Sequence, residues 1–212
     1  MLVVEKMVDP LMGENAYIVY KEGAAESVVI DPSFQIEAIL RYLKEESLSC
    51  GAILLTHGHF DHMAGVDTLR KETGASVYIH ERDADKLTDA EKNMSIQFGA
   101  GLTTEPAEHL LTKDETVLLA GLQIKVLSTP GHSLGSVCYI IEDVIFSGDT
   151  LFNMSIGRTD FDDSDQDEMF ASLHKLKALE GEYLVHPGHA SSTSLQYEIS
   201  NNPFLGDEKW SL

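Results

Sequence analysis

Short apolar runs, not long helical stripes, open the chain. Residues 2–8, 16–20 and 27–30 read as strands bounded by turn-forming residues. Ser33 is then placed to cap a helix in which Ile36, Ile39, Leu40 and Leu43 fall on one stripe. Residues 52–55 form a short buried strand, 63–73 a helix stopped by Gly74, and 76–79 another strand. No regular period runs through 84–108, where Met94, Phe98, Gly99 and Gly101 suggest a pocket wall or lid. Strands follow at 116–119, 123–127, 137–141 and 144–146. A second amphipathic helix spans 165–179, with Ser164 as its candidate cap and acids in its first turn. A strand at 183–185 and a helix at 193–200 complete the pattern. Strands and helices thus mix in two similar halves without strict alternation. That predicts an α/β (α+β) fold of sheets packed together with helices outside, in a single domain over 1–212 with no repeat or linker.

Composition sharpens this in three ways. Hydrophobic residues at 43% and charged residues at 24% are ordinary globular values and supply a sizeable core. No apolar run reaches the roughly 20 residues that cross a bilayer, and the start, Met1 to Met7, lacks a basic region followed by an export-type apolar stretch. Cys50 and Cys138 stand far apart, so buried reduced thiols and a cytoplasmic location are expected. The net charge of −20, with no basic cluster to oppose it, disfavours nucleic acid as a partner.

The chemistry concentrates in Thr56-His57-Gly58-His59-Phe60-Asp61-His62, directly after the strand at 52–55. On extended chain, positions i and i+2 project to one side, so His57 and His59 can grip one cation. Asp61 and His62 leave at the start of the next helix, aimed elsewhere, and suit a second. Unpaired buried imidazole and carboxylate groups are costly, so packing alone explains the cluster poorly. Three further segments place a ligand-type side chain just past a strand end on a glycine turn. They are Thr129-Pro130-Gly131-His132, Ser147-Gly148-Asp149 and Pro187-Gly188-His189. Together the segments offer five histidines and two aspartates: two three-ligand sets and a carboxylate able to bridge them.

These segments resemble the metallo-β-lactamase superfamily, and specifically its glyoxalase II-like (hydroxyacylglutathione hydrolase-like) branch. Asn15-Ala16-Tyr17, Gly157-Arg158-Thr159-Asp160 and Asn202-Pro203-Phe204 also look like that branch. The resemblance spans nearly the whole chain. It implies an αββα sandwich of two mixed sheets, with the site at one edge. It also implies that His57, His59 and His132 hold a first metal, that Asp61, His62 and His189 hold a second, and that Asp149 bridges them. Asp61 and Asp149 are thereby expected to be catalytic carboxylates as well as ligands. Two departures stand out. The branch's two-domain members bind glutathione partly through an added helical C-terminal region, whereas 23 residues (212 − 189) follow His189 here. Phe161-Asp162-Asp163-Ser164 also replaces a Pro-Gly-Gly-type turn.

The expected cofactors are two divalent ions, zinc first, with iron or manganese also compatible with such ligands. Two cations sharing a water lower its pKa towards roughly 7, making hydroxide available for attack on an ester or thioester carbonyl. The expected partner is a small, possibly anionic, thioester, with no membrane partner and no prediction of oligomeric state. Arg158 is a candidate for pairing with a substrate carboxylate, and a salt bridge to Asp160 is the competing reading. His80, His109, His174 and His186 read as structural or exposed. Alternative activities are a persulfide dioxygenase using one iron on His57, His132 and Asp149, or a lactonase using the same water-activating machinery.

Overall fold

Burial on both faces marks the strands that lie between layers. In β2 (Asn15–Lys21), Ala16 and Ile18 point one way and Tyr17 and Val19 the other, and all four are buried. That double burial needs an apolar layer on each side of the sheet. The computed structural model, which describes residues 1–99, 101–112 and 114–206, provides both layers.

The first sheet runs in chain order. It contains β1 (Leu2–Val8), β2, β3 (Glu26–Ile30), β4 (Ser49–Leu54), β5 (Ser76–His80) and β6 (His109–Leu111). The pairs β1–β2 and β2–β3 are antiparallel, and the next three are parallel. The second sheet is built from β7 (Glu115–Leu119), β8 (Leu122–Ser128), β9 (Val137–Ile141) and β10 (Val144–Gly148). A short hairpin follows, β11 (Leu151–Phe152) with β12 (Ser155–Ile156). Then β13 (Leu184–Pro187) and β14 (Thr193–Ser194) complete the second sheet in the order β14-β13-β10-β9-β8-β7.

Three apolar clusters follow from this arrangement. Between the sheets, Tyr17, Val19, Val28 and Leu54 meet Val126, Tyr139, Ile141 and Phe146. Outside the first sheet, α1 (Ile36–Glu45) and α3 (Val66–Thr73) bury Ile39, Leu43, Val66 and Leu69 against Ile18, Val29, Ile53 and Val77. Outside the second, α4 (Gln166–Lys177) and α5 (Leu195–Asn201) pack Met169, Leu173, Leu176 and Leu195 onto Cys138, Ile140, Ile145 and Val185. Helix, sheet, sheet and helix are therefore stacked in order, the αββα sandwich. No helix among the described residues is long and apolar enough to cross a membrane.

Several local expectations are corrected. The residue preceding α1 is Gln35, which makes no side-chain cap bond, while Ser33 is buried two residues earlier. Asp165, not Ser164, caps α4 by accepting the Glu168 amide. Ser164 Oγ instead accepts the Phe161 amide and donates to the His132 carbonyl. The helix expected at 63–73 is broken at Gly65 into α2 (Phe60–Met63) and α3. A Cβ at Gly65 would lie 2.5 Å from the Ser33 carbonyl oxygen, so the break is where the chain passes under the β3–α1 connection. Gly74 ends α3 with φ of 75°, as its position suggested. Residues 193–194 open with a strand pair before α5 begins.

Candidate metal centre

The ligand-type side chains stand at the ends of β4, β8, β10 and β13, all at one edge of the two sheets. Parallel pairing of β3 with β4, and of β10 with β13, aims these strand ends the same way. All seven side chains singled out in the sequence come together there. His57, His59 and His132 present ligand atoms within 4.8 Å of one another, as do Asp61, His62 and His189, and also His57, His62 and Asp149. Asp149 is central: one oxygen lies 3.5 Å from His62 Nε2, the other 3.5 Å from His132 Nε2 and 3.8 Å from His189 Nε2.

Orphaned atoms show what the cluster lacks. His57 Nε2, His59 Nε2, His62 Nε2 and Asp149 Oδ1 are buried without a hydrogen-bond partner. A buried polar atom left unpaired is costly, and divalent cations would satisfy a donor set of this composition. Ring orientation fits as well. His132 Nδ1 contacts the Arg158 carbonyl at 3.0 Å and His62 Nδ1 contacts Asp31 Oδ2 at 3.0 Å, so each donates outward from Nδ1 and turns Nε2 inward, where His132 Nε2 meets His59 Nδ1 at 3.0 Å.

Charge states divide the site. Burial, reinforced by the neighbouring imidazoles, holds His57 and His59 well below the usual histidine range. Burial also lowers His132 against the opposing pull of Asp149. Those three are therefore neutral, the form that binds a cation. Burial lowers His62 too, but Asp149, Asp61 and Asp31 outweigh it and raise His62 well above its ordinary value. His189 is likewise raised, by Asp61 and Asp149 against burial. Burial acts upward on Asp61, yet His62 and His189 pull it below its ordinary value.

Residues outside the motifs brace the cluster. Asp31, just past β3, accepts the Thr56 amide at 2.8 Å and the Thr56 hydroxyl at 2.7 Å as well as contacting His62. Behind it, burial raises the Glu14 carboxyl well above its ordinary value, and Gln35 Nε2 donates to it at 2.9 Å. Asn15 Nδ2 donates to the carbonyls of Pro187 and Ala190, bracketing His189. Asp83 is fully buried and bonds both loops that carry the first histidine set. Sequence reading singled out neither Asp31, Glu14, Gln35 nor Asp83. The only local signal, an acid directly after an apolar strand at Asp31, is too common to find it.

A cavity of about 910 Å³ opens over the cluster, with His59, Asp61, His132, Asp149 and His189 in its lining. Residues from the irregular stretch, including Lys86, Met94 and Phe98, form one wall. Arg158 also lines it, but its guanidinium is engaged by both oxygens of Asp160, at 2.8 and 2.9 Å. Of the remaining histidines, His80 accepts the Arg82 amide and His109 stacks on Tyr78 with ring centres 4.3 Å apart. His186 contacts Ser192 Oγ, and His174 is exposed.

An αββα sandwich with a histidine–aspartate cluster at the sheet edge defines a metallohydrolase class of protein. The chain belongs to the metallo-beta-lactamase superfamily, whose family model matches residues 9–189. The protein named "Probable metallo-hydrolase YqgX" of Bacillus subtilis (strain 168) is 38% identical over 195 residues, 90% of this chain and 92% of that protein. "Hydroxyacylglutathione hydrolase GloC" of Haemophilus influenzae is 29% identical over 200 residues, 92% of this chain and 94% of that one. Among solved structures, the BLEG-1 B3 metallo-beta-lactamase superposes with a TM-score of 0.89 at 39% identity, covering 97% of this chain and 99% of that chain. TTHA1623 in a di-iron-bound form gives 0.81 at 36% identity, covering 95% and 100%.

Proposed function

We propose that this chain, as one domain over residues 1–212, hydrolyses a small thioester of the class that hydroxyacylglutathione exemplifies, using two divalent cations. The observation that carries the reading is the pair of three-residue sets meeting at Asp149, floored by buried nitrogens that have no other partner. His57, His59 and His132 would hold one cation and Asp61, His62 and His189 the other, with Asp149 between them. When bound, such a pair supplies Lewis acidity that brings the pKa of water towards roughly 7 and polarises a carbonyl. The chain's own part is to fix those ligands, keep three imidazoles neutral, and hold the reacting carbonyl at the cavity floor. Asp61 and Asp149 are the carboxylates nearest the reacting atoms. A thiolate departs readily, so no dedicated acid is required for the leaving group.

Zinc is the first choice, supported by borderline nitrogen and oxygen donors. The di-iron form of a chain 36% identical keeps iron in play. Cys50 and Cys138 are free and buried, which suits a reducing, cytoplasmic setting. The test is metal analysis of the purified chain beside a panel of lactoyl-thioesters, lactones, persulfides and a β-lactam. Two metals per chain, thioester turnover and its loss in Asp149→Ala are expected. Full turnover after complete chelation would end the proposal. A single iron with oxygen consumption on a persulfide would replace it with the dioxygenase.

A further inference from the structure

The cavity wall carries a second, independent message about what enters. Among the described residues, four cationic side chains line it, and each already faces a carboxylate. Arg158 is held by Asp160 as described, and Lys92 Nζ lies 2.5 Å from Asp85. Lys86, whose side chain is 5% exposed, sits between Asp163 at 2.5 Å and Asp83 at 3.6 Å. Arg82 approaches Glu168 at 3.9 Å. Glu91 and Asp162 add further acids to the lining.

A substrate carboxylate arriving there would meet an acid beside every one of these cations, and would compete with it for the same charge. It would do so inside the field of a chain with net charge −20. Anion recognition away from the metal centre is poorly served.

Apolar surface, by contrast, is offered freely. Phe98 is 61% exposed, and its ring centre lies 4.8 Å from that of Phe60, which in turn lies 6.3 Å from Phe34. Phe161 stands 5.3 Å from His59, and Phe152 stands 6.1 Å from His189, so aromatic rings flank both halves of the histidine cluster. Phe60 itself is buried, so it is the open face of Phe98, backed by Phe60, that stands in the cavity as surface awaiting cover.

Resting on the thioester reading, we infer that the substrate limb reaching out from the metal centre is uncharged and apolar. It is an acyl or S-alkyl chain lying along the open face of Phe98, not the doubly carboxylated arm of glutathione. The limb buries against that face what water would otherwise cover, while its lack of charge leaves the four ion pairs undisturbed.

The test is equilibrium binding to the zinc-loaded chain by calorimetry. The probes are S-hexylglutathione and the S-hexyl and S-methyl thioethers of N-acetylcysteamine. The neutral hexyl probe should bind about tenfold tighter than its methyl counterpart, from partial burial of the added methylenes. S-hexylglutathione should bind no tighter than the neutral hexyl probe and should improve with salt as repulsion is screened. Phe98→Ala should remove most of the hexyl advantage at unchanged metal content. Tighter S-hexylglutathione binding that weakens with salt, or equal affinity for hexyl and methyl probes, would overturn the inference. A hexyl preference without turnover of any thioester would sink only the hydrolytic reading. Turnover with a glutathione preference would sink only this one.

Discussion

Asp83 Oδ2 accepts the amide of Gly58 at 2.8 Å, and through that bond a residue after β5 governs the turn between His57 and His59. The same carboxylate accepts the Ser133 hydroxyl and the Gly135 amide, each at 2.7 Å, on the loop that carries His132. A Cβ on Gly58 would lie 2.7 Å from Lys86 Cβ and 2.9 Å from the Asp83 carbonyl oxygen, so the turn is pressed closely against this brace. Asp83→Ala would strand three buried donors and leave Lys86 with one carboxylate fewer. A loss of about 3–5 kcal/mol is expected on breaking such a buried charged network. Urea unfolding of the metal-free protein checks the stability. Zinc titration should show the first metal weakened more than the second.

Gly188 tests how closely the second set is packed. A Cβ there would lie 2.4 Å from Asp149 Oδ1 and 2.6 Å from His62 Cε1. Gly188→Ala should therefore push the bridging carboxylate or His62 aside. Bound metal should fall from two towards one per chain, and hydrolysis should drop at least about a hundredfold, the scale at which small misplacements of reacting groups are felt. Elemental analysis after gel filtration, with rates on one thioester, would show it. Retention of both metals at full rate would contradict the packing argument.

Protons should compete with metal at the two sets unequally. His62 is raised above its ordinary 6.5, so the metal-free chain holds a proton there at neutral pH, whereas His57 and His59 hold none. Binding at the His62 set must expel that proton and any held by His189, which is also raised, so affinity should rise by at least about tenfold per pH unit until both have titrated. The His57 set should be nearly flat over pH 6 to 8. The sign for stability runs the other way. The raised His62 stabilises the metal-free fold fully below 6.5, and that contribution is lost as pH climbs through the raised value. Competition titrations with a chelator across this range would measure both trends.

The two thiols give a prediction independent of metal. Burial pushes Cys50 up to about 12 and Cys138 up to about 11, from an ordinary 9.0. Folded thiols should resist alkylation at pH 8 and react only on unfolding. Because the folded values are raised, stability is fully present below pH 9.0 and is lost as pH rises towards 11 to 12. Each thiol contributes a slope of about 1.4 kcal/mol per pH unit in that window. Serine at both positions should flatten the alkaline limb of the stability curve.

Much of this molecule was legible beforehand, and for a definable reason. Strand and helix periods are local properties, so β2, β8 and α4 could be read from which positions are apolar. Metal-type ligands at His57, His59, Asp61 and His62 announce themselves because four such groups within six residues have no cheap apolar explanation. Caps and breaks were less legible. Asp165 and Ser164 are both good capping residues, and the choice fell to Asp165 because Ser164 is engaged by Phe161 and His132.

The chain alone determined the order of the elements, the identity of the metal-type side chains and their placement just past strand ends. Only tertiary structure decided that Asp31 would orient His62, and that Asp83 would join two loops 75 residues apart, at Gly58 and Ser133. Such bonds depend on which segments the packed sheets bring side by side. A short-range pattern carries no record of partners so distant, because their meeting is fixed by the burial of three apolar layers and not by any neighbouring residue.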